Sequence, residues 1–346
     1  MRKIVARHDP TLGARVVGRG PLRYAEGPDP ALDRPAHVRA GSSLAKIKDY
    51  TVVIQDDANF VALLSADGRQ ALALALPAGE GGRRQFDDGR GNKRFKLDLE
   101  ACAVVPSDSD PSGALEEMLL AFGSGSTERR ERVLILSDWA GWGAGGPRAA
   151  LHDARELYAT LRAAPDFAGS DMNIEGAVYF DGRVRLFGRG NGVARGGLRP
   201  LNASCDLDWP RLRAYLRDPR RVIPPPPEAV VQYELGALGG LPLGFTDAAI
   251  GTRLFIFSAA AEASPDAARD GPVAGSVIGV FDGEGGARWA VLRDHDGGDY
   301  RGKVEGVLLA SEPELRLLAV VDEDDPAAPS ELCEVDLTGD WHGAVA

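Results

Sequence analysis

Short apolar runs alternate along this chain with clusters of glycine, proline, aspartate and serine. Runs of that length, rich in β-branched and aromatic residues and bounded by turn residues, predict strands. Five segments repeat one order: a small or acidic residue, an apolar run, a turn, a second apolar run, then a polar loop. The opening residues are Ser43, Glu100, Glu175, Asp247 and Glu305, spaced 57, 75, 72 and 58 residues apart. Repeated sheet units with matched acidic positions predict an all-β chain folded as a β-propeller, its carboxylates converging near a central axis.

The first unit predicts strands at Leu44–Ile47, Thr51–Gln55, Phe60–Ser65 and Ala71–Leu76. The second predicts Ala101–Val105, Met118–Phe122 and Val133–Ser137, with the fourth strand unassigned. The third predicts Ala177–Phe180, Val184–Phe187, Ala203–Leu207 and Val230–Leu235. The fourth predicts Ala248–Ile250, Arg253–Phe257, Ser276–Phe281 and Arg288–Leu292. The fifth predicts only Val307–Leu309, Leu315–Val321 and Glu331–Leu337. The segment around Arg15–Val17 supplies its missing strand and closes the ring, which protects sheet edges. The expectation is one domain over 1–346 with five four-stranded blades; strands hidden in residues 1–41 would make six. Near 147–164, Leu151, Leu157, Tyr158 and Leu161 have helical spacing behind Pro147, predicting a short helical insertion or a decorated outer strand. Leu212–Pro227 ends in four prolines and reads as a surface connection.

The formal charge of −11 opposes wrapping nucleic acid, which needs a basic surface. Arg129, Arg130 and Arg132 form a local cluster, read as a solvated loop. Cys102, Cys205 and Cys333 are far apart and sit in or beside apolar runs, so buried free thiols are expected. That usage, with no apolar leader after Met1 and no run near the ~20 residues of a membrane span, gives a cytoplasmic expectation with no membrane partner.

In such a blade the start of strand one and the end of strand two meet at one face. That face gathers Glu100, Glu175, Asp247, Glu305, Asp56, Asp57, Asp322 and Asp324, with Arg189, Lys96, Lys303 and the Gly123–Ser126 loop as counter-charge and donors. Clustered carboxylates need protons, bases or a metal. An all-oxygen set suits Ca2+ or Mg2+ rather than zinc. Alternatively, each carboxylate caps a strand of the next blade. Asp294–Asp299 has the oxygen spacing of a calcium loop but no glutamate in the twelfth position, and reads as an acidic turn. Ser124 and Ser126 lack a nucleophile elbow, the glycines around them lack the lysine of a P-loop, and the five histidines show no ligand spacing.

Paired motifs carry a resemblance. Asn173-Ile-Glu-Gly176 with Gly188-Arg-Gly-Asn191, Phe245-Thr-Asp247 with Ser258-Ala-Ala-Ala-Glu262, and Lys303-Val-Glu-Gly306 with Asp322-Glu-Asp-Asp-Pro326 resemble a bacterial β-propeller family of unknown function. So does Leu119-Leu-Ala-Phe-Gly-Ser-Gly-Ser126; together the likeness spans Arg39 to Asp336. More distantly, the Glu-Gly openings are similar to phytase-like esterase and gluconolactonase/regucalcin propellers. The latter hold a divalent cation in the tunnel on Glu, Asn and Asp side chains. That analogy implies Glu100, Glu175, Asp247 and Glu305 as metal ligands. Ser43 departs from it, and no catalytic signature of those enzymes is intact.

The resulting expectation is a divalent-metal-dependent hydrolase of a small ester, lactone or phosphate ester. Asp57 serves as base and Arg189 orients the substrate. Ser124, Ser126, Asn191, Lys303 and Asp322 contact a small, anionic ligand. The alternative is a non-catalytic propeller that binds a ligand or a protein partner.

Overall fold

The structure is a computed structural model that describes residues 2–65, 70–109, 115–139, 146–263, 271–282 and 285–342. Three strands lead: β1 (Arg2–His8), β2 (Gly13–Pro21) and β3 (Arg23–Tyr24). An antiparallel group follows, β4 (Gly41–Ile47), β5 (Tyr50–Gln55), β6 (Phe60–Leu64) and β7 (Gln70–Ala75), with β3 added parallel to β7. The second group is β8 (Leu99–Ser109), β9 (Leu115–Gly123), β10 (Arg132–Ser137) and β11 (Arg148–Asp153). Helices α1 (Arg155–Arg162) and α2 (Pro165–Ala168) lead to the third: β12 (Ile174–Phe180), β13 (Arg183–Gly188), β14 (Asn202–Asp208) and β15 (Glu228–Glu234), with α3 (Trp209–Arg217) before β15. After the short β16 (Ala237–Leu238) come β17 (Leu241–Ile250), β18 (Phe255–Glu262), β19 (Val273–Phe281) and β20 (Ala287–Arg293). The last group is β21 (Lys303–Ser311), β22 (Arg316–Asp322) and β23 (Glu331–Thr338), completed by β2, which runs antiparallel to β23.

The first strands touch in a closed cycle, β4–β8–β12–β17–β21 and back to β4. The core follows that cycle. Ile54, Cys102 and Leu119 pack between groups one and two, Phe122, Val184 and Leu186 between two and three, and Phe187, Phe245 and Phe257 between three and four. Ile256, Val304 and Leu317 fill the space between four and five, and Leu44, Val53 and Val320 that between five and one. Each sheet is therefore buried on both faces, which is why β6 reads Phe-Val-Ala-Leu-Leu without alternation. This is a propeller-like fold.

The segment near 147–164 holds both alternatives that the sequence left open, an outer strand and a helix, and two further features differ from the expectation. Residues 148–153 form the outer strand β11 that the second group lacked, and only Arg155–Arg162 is helical. The leucine spacing straddles both, because Leu151 alternates on a strand while Leu157, Tyr158 and Leu161 share the buried face of α1. His152 accordingly sits on β11. Leu212 lies in α3, capped by Asp208 and buried through Trp209, Leu212, Tyr215 and Leu216, so the surface connection begins only after Arg217. Finally, β1 wedges between β15 and β20, parallel to both, joining two groups that the local pattern treats as separate.

Candidate functional site

Every first strand carries a register shift near its start. The shifts fall between Gly41 and Ser43, Leu99 and Ala101, Ile174 and Gly176, Phe245 and Asp247, and Val304 and Gly306. A bulge leaves one residue outside the ladder and re-aims its side chain. The residues so released are Ser42, Glu100, Glu175, Thr246 and Glu305. Ser42 and the three glutamates line a cavity of about 50 Å³. The next residue faces the neighbouring first strand. A Cβ on Gly306 would stand 2.7 Å from Ser43 Cα, and one on Gly176 would stand 3.1 Å from the Ala248 nitrogen. That explains the Glu-Gly pairs: the acid turns into the cavity and the glycine admits the adjacent strand.

Asp247 is therefore one position past the bulge and does not line the cavity. Its Oδ2 accepts from the Val307 amide at 3.0 Å and the Ser43 hydroxyl at 3.2 Å. The Ser43 hydroxyl also lies 3.2 Å from Cys102 Sγ. Strands β4 and β17 are not neighbours in the cycle, so this contact bridges the axis. Burial pushes the Asp247 carboxyl well above the usual range, despite three stabilising donors. Asp247 acts as the strand-capping alternative required.

The cavity holds four cations among its carboxylates. Lys96 Nζ lies 2.6 Å from Asp56, 2.8 Å from Asp57 and 2.6 Å from Asp98. Arg130 Nη1 lies 3.0 Å from Asp98 and donates to the Ser126 hydroxyl at 2.8 Å. Arg189 Nη1 stands 3.5 Å from Glu175, and Lys303 Nζ 2.8 Å from Glu305. Asn173 donates to Glu175 at 2.5 Å. Asp56, Asp98 and Glu100 each offer an oxygen within 4.8 Å of the others. Oxygens sharing one calcium at ~2.3–2.6 Å span at most about 5 Å, so this hard, all-oxygen set fits such an ion. A cation there would share Asp56 and Asp98 with Lys96.

Burial makes several of these acids hold protons. Burial, then Asp57, pushes Asp56 up to about 7. Burial lifts Glu175 to about 8, Arg189 notwithstanding. Glu305 and Asp322 rise to about 7, again chiefly through burial. Burial also opposes ionisation of Asp98, yet Lys96 and Arg130 outweigh it and hold that carboxyl below the usual range. The linkage sign follows. The unfolded chain releases these protons near pH ~4, while the folded chain keeps the four to about 7–8, and burial likewise holds the Glu100 and Asp247 carboxyls well above the usual range. Folded protein thus binds more protons, and stability falls as pH rises through that interval. The loss from Asp98 lies at more acidic pH. Urea unfolding with chelator present is expected to give lower stability at pH 8 than at pH 5; an increase would contradict these environments.

Of the residues expected from sequence, Asp57, Glu100, Glu175, Arg189, Asn191, Lys303, Glu305 and Asp322 line the cavity. Asp247 does not, nor do Ser124 and Ser126. Ser124 donates to Asp98, and the two serine hydroxyls lie 3.0 Å apart, so both brace Asp98 and Arg130 from behind. Ser258–Glu262 is the end of β18 rather than a loop. Arg130, read as solvated, is buried against Asp98. Asp98 itself was missed, although Lys96, Asp98 and Glu100 alternate with a period of two. The acidic turn at 294–299 is exposed, closed by the Gly297 amide on the Asp294 carbonyl, and the three cysteines are free and buried. Among the described residues, no helix is long and apolar enough to cross a membrane.

No curated protein sequence matches the chain. Among solved structures, it is similar to Myxococcus xanthus glutaminyl cyclase at 12% identity and TM-score 0.45, covering 98% of each chain. It is similar to Bacillus subtilis arabinanase Arb43A at 10% identity and TM-score 0.41, covering 88% of this chain and 94% of that one. The PQQ-bound aldose sugar dehydrogenase of Streptomyces coelicolor follows at 11% and 0.39, covering 96% and 100%. Likenesses of this size bear on neither reaction nor ligand. The sequence match is of another order: residues 37–337 fit one family model, and the chain belongs to that family of unknown function, DUF6929.

Proposed function

We propose that the chain is a single five-bladed propeller, closed by its N-terminal strand, which binds one divalent cation at Asp56, Asp98 and Glu100 and hydrolyses a small ester, lactone or phosphate ester beside it. The observation that carries this reading is the trio of oxygens within 4.8 Å, on the wall of an axial cavity. Bound there, Ca2+ or Mg2+ supplies Lewis-acid polarisation of a substrate oxygen. Glu175 and Glu305 hold protons near neutral pH, as general acid–base groups must. Arg189 and Lys303 face the same space, while Asn173 and Asn191 offer amides. Asp57, held by Lys96 at 2.8 Å and Arg39 at 3.8 Å, orients rather than abstracts. The inner cavity admits only the reacting group. An adjoining cavity of about 230 Å³ shares Ala40, Asp57, Asp322 and Asp324 with it and takes the remainder.

A second reading rests on Lys96. Its ammonium already sits among three aspartates, where a resident cation would, which suits a pocket that binds a ligand without turnover. A screen of carboxylic esters, lactones and phosphate esters with Ca2+, Mg2+ or Mn2+ separates the two. The hydrolytic reading expects metal-dependent turnover of one class, with kcat reduced about 100-fold or more in Glu175→Gln, the low end of what a general acid–base group contributes. No turnover by protein shown to hold metal leaves the binding reading.

A further inference from the structure

Each of the four cations facing the cavity already holds a carboxylate: Lys96 three aspartates, Arg130 Asp98, and Arg189 and Lys303 the glutamates beside them. The last two share a further partner outside the cavity. Glu262 Oε2 lies 2.5 Å from Arg189 Nη2 and 3.5 Å from Lys303 Nζ. Its Oε1 accepts from the Gly271 amide at 2.7 Å, and its side chain is 1% exposed. Glu262 ends β18, the second strand of a group whose bulge residue, Thr246, carries no charge. Arg189 reaches it by crossing β17 at Gly244, where a Cβ would stand 2.8 Å from Arg189 Cγ. Among the described residues three glutamates thus surround the two cations; Glu175 and Glu305 hold protons near neutral pH, and Glu262 is placed against both cations from outside the cavity.

We infer that Glu262 is the positioning residue that neutralises the Arg189–Lys303 pair, so that the pocket excludes phosphate groups and takes an uncharged carboxylic ester or lactone. This rests on the hydrolytic reading for its reaction, but not for its charge selection. A phosphate dianion entering the cavity would meet two cations already engaged by Glu262, among further carboxyl groups. Among the described residues Glu262 is the carboxylate within ion-pair distance of both cations, so removing its charge loosens them together.

The test is titration of inorganic phosphate into the wild-type protein and Glu262→Gln, followed by calorimetry. Wild type is expected to show no saturable phosphate binding. Glu262→Gln is expected to bind it saturably, up to roughly 1,000-fold tighter than the limit set by wild type, the scale of one charge removed at ~4 Å and an effective dielectric of ~20. A purely structural role would lower the melting temperature and leave phosphate affinity unmoved. Gly244→Ala, which pushes Arg189 off Glu262 with every charge retained, is expected to act in the same direction if the glutamine variant does not fold. Saturable phosphate binding by wild type, or equal affinity in a folded Glu262→Gln, overturns the inference. Failure of the hydrolytic reading is read separately, as absence of turnover on any ester.

Discussion

Lys96→Met is expected to lower unfolding stability by about 3–5 kcal/mol at pH 8 in chelator, the scale for removing one partner of a buried ion pair. The methionine keeps the bulk of the side chain and deletes the charge. Asp56, Asp57 and Asp98 then face one another with Arg39 and Arg130 alone to offset them. Part of the loss should vanish at pH 5, because Asp56 takes a proton with a pKa of about 7 even in the native protein. Millimolar Ca2+ should restore another part, and the variant should bind Ca2+ more tightly than wild type, since the competing ammonium is gone. Chemical denaturation with and without Ca2+ checks all three. A loss under ~1 kcal/mol, below what a buried pair costs to break, and without Ca2+ dependence would mean that Lys96 is not the internal cation of this site.

The second large effect is expected at Gly306→Ala. Its Cβ would lie 2.7 Å from Ser43 Cα and 2.9 Å from Val320 Cγ1. The first of these is backbone on the neighbouring first strand, so the contact cannot be relieved by a rotamer change. Overpacking costs of about 1–3 kcal/mol are ordinary, and a site that must move a central strand belongs at the upper end. Gly20→Ala, on outer strand β2 with nothing within 4 Å of the new methyl, is the matched control. It should change stability by less than about 0.5 kcal/mol. Equal melting temperatures for the two variants would contradict the close approach of β21 and β4.

The strands were legible because each is a short apolar run ended by turn residues, and Arg15–Val17 could be placed in the last group because that group lacked a strand. What misled was the bulge. It shifts the ladder by one residue, so matching acidic residues by position in the run set Asp247 beside Glu100, Glu175 and Glu305, when Thr246 is their structural equivalent. A one-residue slip turns a side chain to the other face, and Asp247 accordingly caps Val307 across the axis. Arg130 was read as solvated because its neighbours Arg129 and Arg132 are basic too; its burial comes from Asp98, distant in sequence. The alternation of Lys96, Asp98 and Glu100 was visible and would have found the trio. The insertion of β1 between β15 and β20 rests on pairings more than 200 residues apart, which no local pattern encodes.

Whether Asp56, Asp98 and Glu100 hold a divalent cation in the axial cavity can be decided by locating the ion. Anomalous diffraction from crystals grown with Mn2+ tests it most directly, because Mn2+ prefers the same oxygen ligands as Mg2+ and Ca2+ and can be located without ambiguity. A peak is expected in contact with oxygens of those three carboxylates, adjacent to Lys96. Anomalous peaks only at surface carboxylates, with the cavity holding water alone, would contradict it.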